Sequence, residues 1–387
     1  MPVSSERPSS TAEVVVVGGG LIGTTIGWRL RQAGLDVVVV TGERSAAASQ
    51  VAAGMLAPIT ETTFTEPRLL QLNLTSLSRY PDFVTELETA SGLPAGLRRT
   101  PNLSVAYDAD DAARLATFAD FLARAGHPGE RLTSRQCRRH EPLLAPTIRT
   151  GLLVEGDWSC DNRLLWRAAI EAGHRIGVRD LSGFVHRVTS SGGQVTGVQL
   201  ADGNNIAAGR VVVANGAWAR QIDGIPVLPV RPVKGQIIRL DPGRLPVPTL
   251  TIRAYVRGAE IYLVPREGGR EVVLGATVEE LGFDHRVTAG GVYELLRDAR
   301  SLMPMTAEYA LSETSVGWRP GTPDNGPILG RCDIDGLLLA TGHFRNGVLL
   351  TPITAEIISN LIITGELDSV AEPFTLDRFA LTGGRTR

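Results

Sequence analysis

Arg319 stands between Trp318 and Pro320 at the start of the loop Trp318-Arg319-Pro320-Gly321-Thr322-Pro323-Asp324. That is a poor setting for a freely solvated charge, and the planar guanidinium fork matches a carboxylate. A second chemical feature is Gly18-Gly19-Gly20-Leu21-Ile22-Gly23. Gly18 permits a tight turn, Gly20 removes the Cβ that would block a phosphate, and Gly23 allows close helix packing. The N–H groups opening the following helix, at Leu21 and Ile22, would then face a pyrophosphate where the helix dipole favours negative charge. A third is the run Ser45 to Pro58, rich in small residues, in which Ser49, Ala53 and Gly54 allow the backbone to run beside a pyrophosphate and sugar. Met55 offers a polarizable wall for a ring.

These residues need particular elements to hold them. The valine run Val14–Val17 precedes the glycine loop, a helical segment follows to Gly34, and a second valine run spans Val37–Val40, which together make a dinucleotide-binding β-loop-α-β unit. The ribose acceptor that usually ends the second strand falls at Thr41, neither Asp nor Glu, with Glu43 two residues on; both are candidates. The spacing predicts helices over 110–125 and within 131–142, alternating strands over 185–213, and a buried strand ending at Asn215-Gly216-Ala217-Trp218, where ligands sit in an open α/β sheet. Strand-like pieces at 235–240, 251–256, 260–265 and 271–276 and a helix over 289–302 read as a separate, mostly antiparallel sheet. In the piece Ile261 to Arg266, alternation puts Tyr262 and Val264 on one face. A short strand at 337–340 then leads through Gly342-His343-Phe344-Arg345-Asn346-Gly347 into a helix over 349–364. The nucleotide unit is therefore expected to be discontinuous, which favours FAD over NAD. The expected division is a flexible tail over 1–12, an FAD-binding unit of 13–88, 150–222 and 314–366, a substrate unit of 89–149 and 223–313, and a C-terminal extension over 367–387.

Composition removes several classes of function. The 387 residues suit two domains sharing an interface, and 43% hydrophobic content supports a large core. Lys plus Arg is 39 against 41 for Asp plus Glu, a net charge of −2, so no basic field invites nucleic acid. No apolar run reaches the roughly 18 residues of a membrane span, and the Ser- and Pro-rich start lacks a signal peptide's apolar region. Cys137, Cys160 and Cys332 are far apart, as in a cytoplasmic protein, and neither they nor the six histidines show metal-ligand spacing.

The glycine loop, Ala-Gly-Met-Leu-Ala-Pro at 53–58, Tyr-Leu-Val-Pro-Arg at 262–266, the Gly317 to Asp324 segment and Gly-His-Phe-Arg-Asn-Gly at 342–347 occur in the order found in the D-amino acid oxidase superfamily. The chain resembles that superfamily from Glu13 to about Gly365, most of all its glycine-oxidising branch of bacterial thiamine biosynthesis. The resemblance implies a Rossmann-like FAD-binding domain beside a substrate domain with an antiparallel sheet. By it, Arg319 binds the substrate carboxylate and Tyr262 hydrogen-bonds it. Met55, Arg345 and His343 line the pocket. The cofactor contacts extend to Val185, Asn215, Gly216, Trp218, His343, Arg345, Asn346, Gly347 and Val348. Glu260 departs from relatives that carry histidine there. Related sarcosine oxidases attach FAD through a cysteine aligning near Gly317, so non-covalent FAD is expected here.

The implied reaction is hydride transfer from glycine, or another small amine or amino acid, to flavin N5. O₂ then gives hydrogen peroxide, and the imine either hydrolyses to glyoxylate and ammonia or is consumed by thiazole synthase. No side-chain base is required. A homo-oligomer, tetrameric by resemblance, is expected. The alternative is a D-amino acid or sarcosine-type dehydrogenase using another electron acceptor.

Overall fold

A computed structural model of the chain describes residues 11–43 and 47–382. The expected tail falls outside these residues except for Thr11 and Ala12, which already belong to the first strand, Thr11–Val17. Ser45 and Ala46 of the small-residue run also lie outside.

The four valines of that strand fix the centre of the first sheet. Val14 and Val16 face one side, with Ile26 and Leu30 of helix Leu21–Gln32 and Ile358 of helix Thr351–Thr364. Val15 and Val17 face the other, against Val188, Val198 and Ile206. This is the period-two alternation of a strand buried on both faces. Thr11–Val17 runs parallel to Val37–Thr41 and to Asn205–Val213. Arg179–Ser182 and Leu337–Thr341 extend the parallel part on either side. The antiparallel strands Val185–Ser191 and Gln194–Leu200 join it through Asn205–Val213, and Ile328–Arg331 closes the far edge.

The second sheet has eight strands, antiparallel except where Thr251–Val256 lies parallel to Asn102–Ala106. Its long edge pairs Arg231–Asp241 with Ala310–Gly321 over their whole length, from Arg231 opposite Gly321 to Asp241 opposite Ala310. The strand that carries Arg319 thus belongs to this sheet, and the chain crosses to the first sheet only in the turn Thr322–Pro327, where Asn325 has φ 59°. Thr150–Val154 pairs here too, with Asn102–Ala106. Helix Ala289–Leu302 covers one face through Leu295, Ala299 and Leu302. The other face presents Ile237, Val264 and Val273 to Val51 and Ala53.

The helix placed within 131–142 is Ser134–His140, because Thr133 ends a short strand and caps the helix reciprocally with Gln136. A 25-residue helix, Pro67–Ser91, has no counterpart in the sequence reading; it buries Tyr80, Phe83 and Leu87 against Trp166 and Ala169. Among the described residues, no helix is long and apolar enough to cross a membrane and no cluster of three or more His, Cys, Asp or Glu could hold a metal.

Candidate active site

The glycines of the first turn divide into two kinds. At Gly18, φ is 114° and a Cβ would stand 2.6 Å from the Ala214 carbonyl; at Gly23 it would stand 1.9 Å from the Gly18 carbonyl. Both are needed for the turn itself. A Cβ on Gly20 would meet only Ser49 Oγ, at 3.2 Å, so the space it would enter is the open cleft. Ser49 Oγ accepts the Leu21 N–H at 2.8 Å, and Gly20 caps the helix with no side-chain bond of its own. The first-turn N–H groups have no intrahelical acceptor.

The cleft at this helix end has a volume of about 600 Å³ and runs from the glycine loop to the open face of the second sheet. Among the sequence-predicted residues, Gly18, Gly20, Leu21, Ile22, Thr41, Glu43, Ser49, Ala53, Gly54 and Met55 line it, as do Val185, Asn215, Gly216, Trp218, Tyr262, Arg319, His343, Arg345, Gly347 and Val348. Gly23 and Asn346 do not. Gly23 is packed under the loop, and Asn346 is buried with its side-chain oxygen unpaired. Thr41 Oγ1 donates to Asp180 Oδ1 at 2.7 Å and lies where a Gly19 Cβ would stand, so its hydroxyl proton is already committed; Glu43 is exposed at the rim.

At the other end the two chemical side chains meet. Arg319 Nη1 donates to the carbonyls of Thr277 (3.2 Å) and Lys234 (3.5 Å), and among the described residues no carboxylate lies within ion-pair distance. Burial pushes the Tyr262 hydroxyl above its ordinary pKa, against the pull of the neighbouring Arg319 guanidinium. Tyr262 therefore stays a phenol and can donate. Two glycines that the sequence reading missed make room for this pair. A Cβ on Gly235 would sit 2.4 Å from Arg319 Nη1, and one on Gly275 would sit 2.3 Å from the Tyr262 hydroxyl.

Other residues were also missed. Arg253 lies opposite Tyr262 in register, lines the cleft, and pairs with Glu61 at 3.4 Å and Glu260 at 3.6 Å. Glu260, the departure from relatives, is also held by Arg114. With Arg345, these residues line a side chamber of about 380 Å³ at the mouth. The only signal in the sequence was the two-residue alternation, which cannot show which strands become neighbours. Arg266 is buried and donates to the carbonyls of Ala53 (2.9 Å) and Cys160 (2.8 Å) and to Asn162 Oδ1 (2.7 Å), fixing the Ala53–Met55 backbone on the cleft wall. His343 is buried, its Nε2 3.0 Å from Thr354 Oγ1, and burial pulls its pKa down to about 3. It is neutral at any working pH.

A flavin dinucleotide fits this arrangement. The space above Gly20 accepts a pyrophosphate, and Asn215 Oδ1 and Arg345 Nε on the cleft wall are buried without a protein partner.

Comparison with known proteins agrees with this geometry. A model of the DAO family, described as FAD dependent oxidoreductase, matches residues 13–361. The chain is 34% identical to a glycine oxidase of Geobacillus kaustophilus, over 95% of this chain and 97% of that one. The crystal structure of glycine oxidase from Geobacillus kaustophilus superimposes with a TM-score of 0.85 at 30% identity, covering 95% of this chain and 99% of the other. The chain is also 36% identical, over 96% of its length, to a bifunctional protein ThiO/ThiG of Synechocystis, of which it spans only 55%. Both the motifs in their order and the two-sheet architecture are those of this group, and the chain belongs to the DAO family of FAD-dependent oxidoreductases.

Proposed function

We propose that this protein oxidises glycine and similarly small amino acids or amines at the Cα–N bond, holding FAD without a covalent link. The observation that carries the reading is Arg319: a cation in the cleft that donates to two backbone carbonyls, has no carboxylate within ion-pair distance among the described residues, and stands beside a phenol that stays protonated, at the opposite end from the glycine loop. That is a carboxylate receptor at the far end of a dinucleotide site. The glycine oxidase relatives support the choice of substrate.

Arg319 and Tyr262 would clamp the carboxylate and thereby aim Cα–H along the cleft. The wall built by Met55, Ile237 and Tyr262 excludes water from the reacting carbon. Bound FAD would supply the two-electron acceptor for the Cα hydride, and O₂ would be the final oxidant, reduced to hydrogen peroxide. The substrate, its amine neutral, would lose a hydride from Cα and a proton from nitrogen to become an imine, which water converts to glyoxylate and ammonia. His343, its pKa pulled down to about 3 by burial, is too weak a base to take a proton, so positioning and electrostatics carry the step.

We assign the first sheet and its helices to FAD, held by the Gly18–Gly23 turn, Ala47–Met55, Asn215–Trp218 and His343–Val348, with Glu43 as the ribose acceptor. The second sheet takes the substrate. Fusion of a similar chain to a second unit in the bifunctional relatives supports delivery of the imine to a thiazole synthase. A homo-oligomer is part of the same reading. The test is aerobic turnover of glycine with product analysis: glyoxylate, ammonia and peroxide in equal amounts support it. Reduced flavin that persists in air would instead assign a dehydrogenase.

A further inference from the structure

Behind the clamp lies a lysine that does not line the cleft. Lys234 is fully buried, its Nζ 3.0 Å from Asp284 Oδ2 and 3.2 Å from Glu279 Oε2. Strand alternation points its side chain away from Gly235, which lines the cleft. Glu279 and Asp284 both belong to the segment that follows strand Val272–Gly275, and Lys234 ties this segment down at two points. The segment is also bridged to the strand by the Lys234 N–H to the Glu279 carbonyl and the Glu279 N–H to the Lys234 carbonyl, both 2.9 Å.

From Lys234 an unbroken chain of contacts leads to Arg319. Glu279 Oε1 accepts from Gln236 Nε2 (2.8 Å) and from Thr277 Oγ1 (2.5 Å), while Thr277 Oγ1 accepts the Gln236 N–H at 2.8 Å. So held, Thr277 presents its carbonyl to Arg319 Nη1 at 3.2 Å. At the other anchor, Phe283 precedes Asp284 and stacks on Trp218 of the cleft wall, with ring centroids 5.3 Å apart. Buried ion pairs add little net stability compared with apolar packing, but they fix geometry.

We infer that Lys234 is a positioning residue for substrate: through Glu279 and Asp284 it sets the Thr277 carbonyl, and so the direction in which Arg319 presents its fork. The inference rests on the reading that Arg319 takes the carboxylate. The charge balance agrees, since hydrogen bonds from Thr277, Gln236 and Lys234 overcome burial to keep Glu279 below the usual carboxylate range.

The test compares Lys234→Met, Glu279→Ala and Arg319→Ala in the flavin-loaded protein, measuring glycine kinetics and the perturbation of flavin absorbance by acetate. Glu279 is partly exposed, so its truncation gives an answer even if Lys234→Met fails to fold. Both substitutions are expected to raise KM for glycine and Kd for acetate together, by about tenfold, with kcat within about threefold of wild type and flavin content unchanged. A lowered melting temperature with both constants within about twofold of wild type would show a purely structural lysine and overturn the inference. If Arg319→Ala leaves acetate binding unchanged, the carboxylate clamp is misassigned and the inference falls with it.

Discussion

Arg319→Ala should leave a folded, flavin-loaded protein that has lost most of its activity toward glycine. Within the protein the guanidinium gives up its bonds to carbonyls at 3.2 and 3.5 Å, which water can reach through the vacated space, and its contact with the Tyr262 hydroxyl. The loss to the substrate is larger, because a carboxylate drawn into the cleft would have no counter-charge. Removing one member of a desolvated pair costs about 3–5 kcal/mol, and at 1.36 kcal/mol per decade this is roughly 10²–10⁴ in kcat/KM. Gly235→Ala probes the same geometry more gently. Its Cβ would land 2.4 Å from Arg319 Nη1 and 2.7 Å from Nη2, the far end of a flexible side chain, so the fork must move while the strand holds. A loss of about tenfold, mostly in KM, is expected. Both are read by peroxide release over a range of glycine concentrations, with FAD quantified after acid precipitation. Near-normal kcat/KM for Arg319→Ala with full flavin would refute the clamp.

Gly20→Val should purify folded but largely free of flavin, since its side chain would enter the cleft and meet only Ser49 in the protein, whereas Gly18→Ala, forced against the Ala214 carbonyl at φ 114°, should lose the fold itself; a Gly20→Val protein with full FAD would misplace the phosphate site. His343 has a folded pKa near 3 against 6.5 unfolded, so the unfolded state binds the extra proton and the stability this provides is present above pH 6.5 and lost as pH falls toward 3, by up to about 1.4 kcal/mol per pH unit. His343→Gln should flatten that acid loss in denaturant titrations while kcat/KM for glycine still rises with pH as the substrate ammonium is lost; an unchanged acid limb, or a vanished alkaline rise, would contradict the assignment. Glycine, N-methylglycine and D-alanine should be oxidised far better than D-phenylalanine in a pocket walled by Met55 and Tyr262. A preference for D-phenylalanine would make the protein a general D-amino acid oxidase.

What could be read from the sequence was whatever local chemistry determines. The turn at Gly18 to Gly23 and the strands around it follow from backbone sterics and unbroken valine runs, and helix Ala289–Leu302 follows from a clear amphipathic period. Helix Pro67–Ser91 was missed because Pro81 interrupts it in the interior, a signal that normally ends a helix; here burial of Tyr80, Phe83 and Leu87 outweighs the lost bond. The strand Ala310–Gly321 was divided at 314, although its pairing with Arg231–Asp241 continues to Gly321; pairing partners distant in sequence leave no local trace. For the same reason Arg319 and Tyr262 could be singled out as chemical groups, but Gly235, Gly275, Arg253 and Lys234 could not. Their significance lies in which atom stands opposite them across the sheet. Thr41 shows the converse: its hydroxyl donates to Asp180 of a neighbouring strand, a bond no local pattern reveals, and keeps its lone pairs for an acceptor role.

One cleft is expected to bring FAD and the carboxylate-held Cα–H of glycine together. Mixing the purified, flavin-loaded protein with glycine in the absence of oxygen tests it most directly. Bleaching of the oxidised flavin absorbance is expected, with one imine or glyoxylate formed per flavin, and its return on admitting air with one equivalent of hydrogen peroxide. Flavin that stays oxidised under anaerobic glycine, in protein that binds acetate at Arg319, would contradict it.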